Sequence, residues 1–287
     1  MANVAVLTDS CASIPESLLE SLQIHTVAYY IHRGVEVLRD LVTIQREEFL
    51  RWMATARYIP TTASPGPGDY FEAYQQLACK GRDEIISIHM TSRASGAYQA
   101  ATIAQTMMKD EFPNVNIEVV DTQNVSLCQG WMVIEAARAA LAGLSLRRVT
   151  GTVKRMIPLT HMIQTADTLK YLYLGGRIGK AQQLVGSVLN IKPLIGMEDG
   201  VIVPIGRAHS RGQAYQQMAD IVAEAVGKGK ARVAYVHADA LREVEKIRSL
   251  VESQVDVVES LIAELSPALA VHTGPGTAGL CYYTVEG

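Results

Sequence analysis

The stretch I-H-M-T-S-R-A-S-G-A-Y-Q, Ile88 to Gln99, runs from the end of a strand through a hydroxyl-rich loop into the start of a helix. Its approach, Glu84 to His89, is a short apolar run with the β-branched character of a buried strand. Thr91, Ser92 and Ser95 then fall within five residues, followed by Gly96. From Ala97 to Lys109 the chain is rich in good helix formers. A helix starting at Ser95 would aim free backbone N–H groups and its positive dipole end beyond the sheet edge, a setting that suits a small anion. The plainer reading is that Ser95 only caps its helix.

Outward from this stretch the same alternation repeats. Val4 to Thr8 reads as a strand ending in Asp9-Ser-Cys-Ala12, and Ser13-Ile-Pro-Glu16 as a capping box for a helix to Leu22. Ile24 to Ile31 reads as a strand, turned by His32-Arg-Gly34, and Thr43 as the cap of a helix to Ala56. The loop Ile59 to Gly68 holds Thr61, Thr62 and Ser64 between prolines that stiffen it. A helix over Asp69–Cys79 precedes the central strand. A further strand, Asn116 to Val120, ends in the polar loop Asp121–Ser126, and helices over Leu127–Leu141 and Leu146–Met156 follow. Polar residues gathered after strands predict a parallel sheet with helices on both faces, and ligands of such sheets bind beyond the strands' carboxyl ends.

The second half changes character near Leu159. Strands are expected at His161–Thr165, 232–237, 255–265, Leu269–His272 and Leu280–Val285, with a hairpin of Lys192–Met197 and Val201–Gly206 about Glu198-Asp-Gly200. Helices are expected at 169–174, Gly179–Asn190, Arg211–Val226 and 241–251. The prediction is an α/β chain of two domains: residues 1–158 with a parallel sheet in α/β/α layers, and residues 159–287 with a mixed sheet.

Composition narrows the function. With 26 basic and 29 acidic residues the net charge is -3, which supplies no large positive field for nucleic acid. Arg147-Arg148 and Lys228–Arg232 read as solvated turns. Cys11, Cys79, Cys128 and Cys281 show no C-x-x-C or zinc spacing and read as reduced thiols. The start lacks a basic n-region, and the uncharged stretch Leu265–Val285 is broken by prolines and glycines. A soluble, cytoplasmic protein without a membrane span or metal is expected.

Three motifs invite over-reading. Gly274-Pro-Gly-Thr-Ala-Gly279 spells G-x-G-x-x-G, yet β-like residues and not a helix follow it, so the dinucleotide reading fails. Its glycines instead allow close backbone approach beside His272 and Thr273. Gly175-Gly-Arg-Ile-Gly-Lys180 is one residue short of a phosphate loop, with Ala181 where Ser or Thr would hold magnesium. Ala208-His-Ser-Arg-Gly212 is one residue from a hydrolase elbow, and Ser210, Asp239 or Asp256, and His272 fall in hydrolase chain order, so a serine hydrolase stands as the rival reading. His272 is either a structural histidine or a donor to an anion, which would favour its charged form.

The chain resembles the DegV family of bacterial fatty-acid-binding proteins along essentially its whole length. The resemblance lies in Leu7-Thr-Asp-Ser10, Thr61-Thr-Ala-Ser-Pro65, Ile88 to Gly96, Asp121-Thr122, Thr168 to Ile178, Ile191-Lys-Pro193 and His272-Thr-Gly-Pro-Gly276, in family order. It implies a fatty acid, of the palmitate, stearate or oleate class, held in a tunnel between the two domains. It further implies that Thr62, Ser95 and His272 bind the carboxylate, with Thr61, Ser64, Ser92, Gly96, Gly176, Arg177, Thr273 and Gly274 in support. A carrier that is not itself an enzyme would present the acid to a separate, dihydroxyacetone-kinase-like fatty-acid kinase; a lipid-responsive regulator is the third reading. Ala63 and Ser64 depart from the family's Ser-Gln, Ala94 and Ala97 from its Leu and Thr, and His209 from an arginine linked to kinase docking, although Arg207 and Arg211 flank it.

Overall fold

A computed structural model describes residues 4–184 and 191–285. In chain order, the first half holds β1 (Val4–Asp9), α1 (Glu16–Ser21), β2 (Ile24–Val27), β3 (Tyr30–Arg33), β4 (Glu36–Arg39), α2 (Arg46–Thr55), β5 (Thr61–Ala63), α3 (Pro67–Cys79), β6 (Glu84–His89), α4 (Ala97–Glu111), β7 (Asn116–Asp121), α5 (Ser126–Leu141) and α6 (Leu146–Met156). The second half holds β8 (Thr160–Thr165), α7 (Lys170–Leu174), β9 (Lys192–Glu198), β10 (Val201–Ala208), α8 (Arg211–Val226), β11 (Lys230–His237), α9 (Leu241–Glu252), β12 (Asp256–Glu264), α10 (Pro267–Thr273) and β13 (Ala278–Val285).

β2, β1, β6 and β7 lie side by side in that order, all parallel. β1 is buried at every position and β6 at all but its first, as expected of strands covered on both faces. The strand order reverses between β1 and β6, where a crevice opens at their carboxyl ends. Asp9 stitches these ends together. Its carboxylate accepts the Cys11 N–H at 3.1 Å and the Met90 N–H at 3.2 Å, and lies 3.1 Å from His89 Nδ1.

The second sheet has the order β10-β9-β8-β13-β11-β12, with only β11 and β12 parallel. The β9–β10 turn has positive φ at both Asp199 and Gly200, the geometry the Asp-Gly pair favours. Thr91 Oγ1 donates to the Gly200 carbonyl at 2.9 Å, fastening this hairpin to the loop after β6.

α5 joins the two sheets. Every residue from Ser126 to Ile134 is buried, as expected of a helix apolar all round. It packs against β1 and β6 on one side and β8, β11 and β13 on the other. Trp131 is fully buried between them, its Nε1 donating to the Cys281 carbonyl at 3.3 Å. One continuous apolar cluster therefore takes residues from both sheets.

Several local expectations are corrected. The expected strand Ile24–Ile31 is two strands: β2 ends at Val27, and β3 enters a separate antiparallel sheet, β4-β3-β5. The loop holding Thr61 and Thr62 is itself β5, paired with β3 through Ile31–Thr62. Ser13 makes no capping box; it adopts a left-handed φ of 54° and its Oγ accepts the Ser266 N–H at 3.0 Å. Thr43 does not cap α2, whose N-cap is Gln45; its Oγ1 accepts the Arg39 N–H at 2.7 Å. The expected helix Gly179–Asn190 is a 3-10 helix over Gly179–Leu184, and residues 185–190 lie outside the described residues.

The largest correction concerns Leu269–His272, which is helix and not strand. Ser266 caps α10, accepting the Leu269 N–H at 3.3 Å, and Pro267 takes the first turn, where its missing N–H costs nothing. A four-residue apolar run cannot distinguish the two states by periodicity, but Ser-Pro before it is a helix start. The N-terminal half also holds α10, since Asp40 Oδ1 accepts the Ala268 N–H at 3.2 Å.

Candidate functional site

Beyond the carboxyl ends of β1 and β6 lies a cavity of about 360 Å³ between the two sheets. That size falls within the range of roughly 300–1,000 Å³ of small-molecule pockets. Its wall is largely apolar: Met90 closes it from the first sheet, Met162, Ile195 and Met197 from the second, and Leu172 and Leu269 from α7 and α10.

Four of its polar groups come from separate elements. β5 carries Thr62, the loop before α4 carries Ser95, the segment after β2 carries Tyr29, and α10 carries His272. Thr62 Oγ1 and His272 Nε2 are 2.7 Å apart. Tyr29 OH and Ser95 Oγ are 2.5 Å apart, and Ser95 Oγ also accepts the Ala97 N–H at 3.2 Å. Ser95 thus satisfies the first turn of α4 although Gly96 is the N-cap; capping and facing the cavity are combined in one hydroxyl. Thr62 and Ser95 are half-buried, while Gly96, Gly176 and Arg177 are exposed at the rim, so the polar end lies toward solvent.

Burial, then the nearby Arg177 cation, lowers the His272 pKa to about 4. Without an anion the ring is therefore neutral at ordinary pH. Its tautomer governs what Thr62 can offer. With the proton on Nε2, Thr62 Oγ1 accepts it and keeps its own proton free for a ligand. With the proton on Nδ1, Thr62 must donate to the ring instead. Among the described residues Nδ1 has no hydrogen-bonding partner, and it faces Gly175, where an added Cβ would sit 2.4 Å away. Gly274, at φ +80°, faces the Tyr171 ring, where a Cβ would approach within 2.2 Å. This is the close approach that the Gly-Pro-Gly sequence provides.

Of the other expected residues, Ser64, Gly96, Gly176, Arg177 and Thr273 line the cavity, and Thr61, Ser92 and Gly274 do not. Thr61 is exposed on β5, and the Ser92 N–H is turned toward Asp121 Oδ2 at 3.2 Å. Among the wall residues that sequence reasoning missed are Arg93 and Tyr29. Arg93 sat in plain view between the hydroxyls, whereas Tyr29, inside an apolar run, carried no local signal. Among its described residues the wall holds Arg93 and Arg177 and no carboxylate. This favours an anion, and the scarcity of cations suits a singly charged one better than a polyphosphate. No group of three or more His, Cys, Asp or Glu residues able to hold a metal occurs among the described residues.

Ser210 is the N-cap of α8, its Oγ accepting the Gln213 N–H at 3.2 Å. Among the described residues no hydrogen bond links it to Asp239, Asp256 or His272, and Ser210 is not in the cavity wall. The elbow-like sequence is here a helix cap.

A parallel sheet and a mixed sheet meet around a cavity whose described wall is mainly apolar and carries two arginines, an α/β architecture with a binding-sized pocket between its sheets. A family model described as "uncharacterised protein, DegV family" matches residues 3–285. The chain belongs to the DegV family. A DegV domain-containing protein of Caldanaerobacter subterraneus is 30% identical, over 98% of this chain and 99% of its own. Among solved structures, a DegV family protein of Thermus thermophilus, described for its fatty acid binding, matches with a TM-score of 0.91 at 30% identity, covering 99% of this chain and 100% of its own. DegV of Bacillus subtilis, described as a fatty acid binding protein, matches at 0.87 with 28% identity, covering 99% and 100%. Among the described residues no helix is long and apolar enough to cross a membrane.

Proposed function

We propose that this protein binds a long-chain fatty acid of the palmitate, stearate or oleate class in a tunnel between two domains, residues 1–158 and 159–287. In this reading Thr62, Ser95 and His272 hold the carboxylate. The observation that carries it is that all three side chains line one largely apolar cavity, Thr62 and His272 in direct contact, and that its described wall contains two arginines and no acid. The fatty acid binding described for the Thermus thermophilus and Bacillus subtilis relatives supports it.

The physical division of labour follows. Each buried methylene contributes about 0.8 kcal/mol, so roughly 15 methylenes give a gross term on the order of 12 kcal/mol before association costs. The tail supplies affinity and the hydroxyls and imidazole fix the end that stays near solvent. An anion arriving there selects the tautomer with the proton on Nε2, freeing Thr62 to donate, and raises the histidine's affinity for a second proton. With its carboxylate at the rim, the acid is placed for a partner. We take that partner to be a cytoplasmic, dihydroxyacetone-kinase-like fatty-acid kinase. There a carboxylate oxygen would attack the γ-phosphorus of ATP, forming the acyl phosphate as the bond to ADP breaks. ATP and its magnesium belong to that enzyme.

Mass spectrometry of small molecules released by denaturing the purified protein, followed by titration of delipidated protein with palmitate, stearate and oleate, tests the reading. A co-purifying long-chain acid and saturable binding are expected. Failure of all three acids to bind would overturn it.

A further inference from the structure

We propose that Tyr29 is a positioning residue that sets the direction in which Ser95 donates its proton, so that the ligand's head group is read by a two-hydroxyl relay and not by Ser95 alone. The inference rests on the carboxylate-binding reading above.

A serine hydroxyl has one proton and two acceptor lone pairs. Around Ser95 Oγ one lone pair is taken by the Ala97 N–H at 3.2 Å, and the Tyr29 hydroxyl stands 2.5 Å away. Tyr29 is 4% exposed, and its hydroxyl lies against Ser95 Oγ, with the Cys11 thiol, a weaker acceptor than a hydroxyl oxygen, as a second neighbour. A phenol is the better donor of the pair and an aliphatic alcohol the better acceptor. With Tyr29 donating, both lone pairs of Ser95 are filled and its proton has one remaining destination, the cavity. An anion there draws the Ser95 proton outward, which makes Ser95 Oγ a stronger acceptor for Tyr29; each bond in such a chain polarises the next. The opposite direction, with Ser95 donating to Tyr29, would spend the serine proton inside the protein wall.

Tyr29 is also held well enough to act this way. Its ring belongs to the main apolar cluster, and its backbone N–H donates to Ser10 Oγ at 3.1 Å. It sits where the chain leaves β2 for β3, so the relay is anchored by the junction between the parallel sheet and the small antiparallel one.

A double-mutant cycle tests the relay on delipidated full-length protein, with palmitate as the probe and Tyr29→Phe, Ser95→Ala and the double variant compared with the wild type. Phe keeps the ring and removes only the hydroxyl. Tyr29→Phe is expected to weaken palmitate binding about twofold to tenfold, the range of one neutral hydrogen bond. The double variant is expected to bind no worse than Ser95→Ala, because a residue that acts only through Ser95 has nothing left to act on. A merely structural role predicts additive losses. Additive losses, or a Tyr29→Phe variant that binds like the wild type, would overturn the relay while leaving fatty-acid binding intact. A wild type that does not bind palmitate would overturn the binding reading and the relay with it.

Discussion

Thr62 and His272 lie 210 positions apart in sequence, yet Thr62 Oγ1 and His272 Nε2 are 2.7 Å apart. The contact exists because β5 pairs with β3 beside α10, whose start is held by Asp40 and Ser13 from the first half of the chain. Burial beside Arg177 lowers the imidazole pKa to about 4. An unfolded histidine titrates near 6.5, so between these values the unfolded chain holds more protons than the folded one. The contribution of His272 to stability is whole above about pH 6.5 and is lost as pH falls toward about 4. A His272→Gln variant should therefore lose less stability than the wild type between about pH 7 and pH 5. Parallel thermal-unfolding profiles for the two proteins across that window would contradict this.

On the proposed function Ser95→Ala removes a hydrogen bond to the carboxylate, and a loss of about 1–3 kcal/mol in binding free energy is expected, or roughly five- to 150-fold in Kd. Calorimetric titration with palmitate measures it. Unchanged affinity would remove Ser95 from the head-group site.

Two glycines hold the site by having no side chain. At Gly175 a Cβ would meet His272 Nδ1 at 2.4 Å, and at Gly274 it would meet the Tyr171 ring at 2.2 Å with φ at +80°. Gly274→Ala combines backbone strain with overpacking, and a destabilisation of about 2–4 kcal/mol is expected. Gly175→Ala should instead displace the imidazole, lowering palmitate affinity more than stability. Equal thermal midpoints for wild type and Gly274→Ala would show that the ring yields freely, which would refute the packing argument.

Asp40 gives a pH dependence of the opposite sign. Burial raises its pKa to about 6, against an ordinary value near 3.8, outweighing the hydrogen bonds from Ser10, Ala268 and Ser266 that favour the charged form. Through that window the folded protein holds more protons than the unfolded one, so stability falls as pH rises from about 4 to about 6. Asp40→Asn cannot ionise and should gain on the wild type as pH is raised from about 4 to about 7. If the difference between the two proteins is the same at both ends, measured by denaturant unfolding, the carboxyl is not perturbed in this way.

The parallel sheet was legible because doubly buried strands such as Val4–Asp9 and Glu84–His89 read as unbroken apolar runs between turn residues. The β9–β10 hairpin was legible from Asp-Gly. The β2–β3 break was not: Ala28 and Tyr29 continue the apolar pattern while the chain changes sheets. α10 was misread because its turn of helix is too short for periodicity to decide, though Ser266-Pro267 signalled its start. Ser95 was visible as an anion-site candidate from its place before a helix. Thr62 stood out as a hydroxyl in a proline-stiffened loop and His272 as a possible donor to an anion, but only family resemblance joined them, since nothing local to either says they meet. Tyr29 is known only from its partner 66 positions away.

α5 is buried along its first nine residues, from Ser126 to Ile134, and its far end is clasped by Arg138 to Glu259 at 2.6 Å and by Glu135 to Arg232 at 2.8 Å. A helix shared in this way is a rivet through both sheets. Swinging the halves apart like the covers of a book would strip water-excluded surface from Trp131 and its neighbours and break those ion pairs together. On the proposed function, a ligand would enter by a side door at the rim, where Gly176, Arg177 and the 3-10 turn at Gly179 border the cavity, with the hinge line between the sheets left shut.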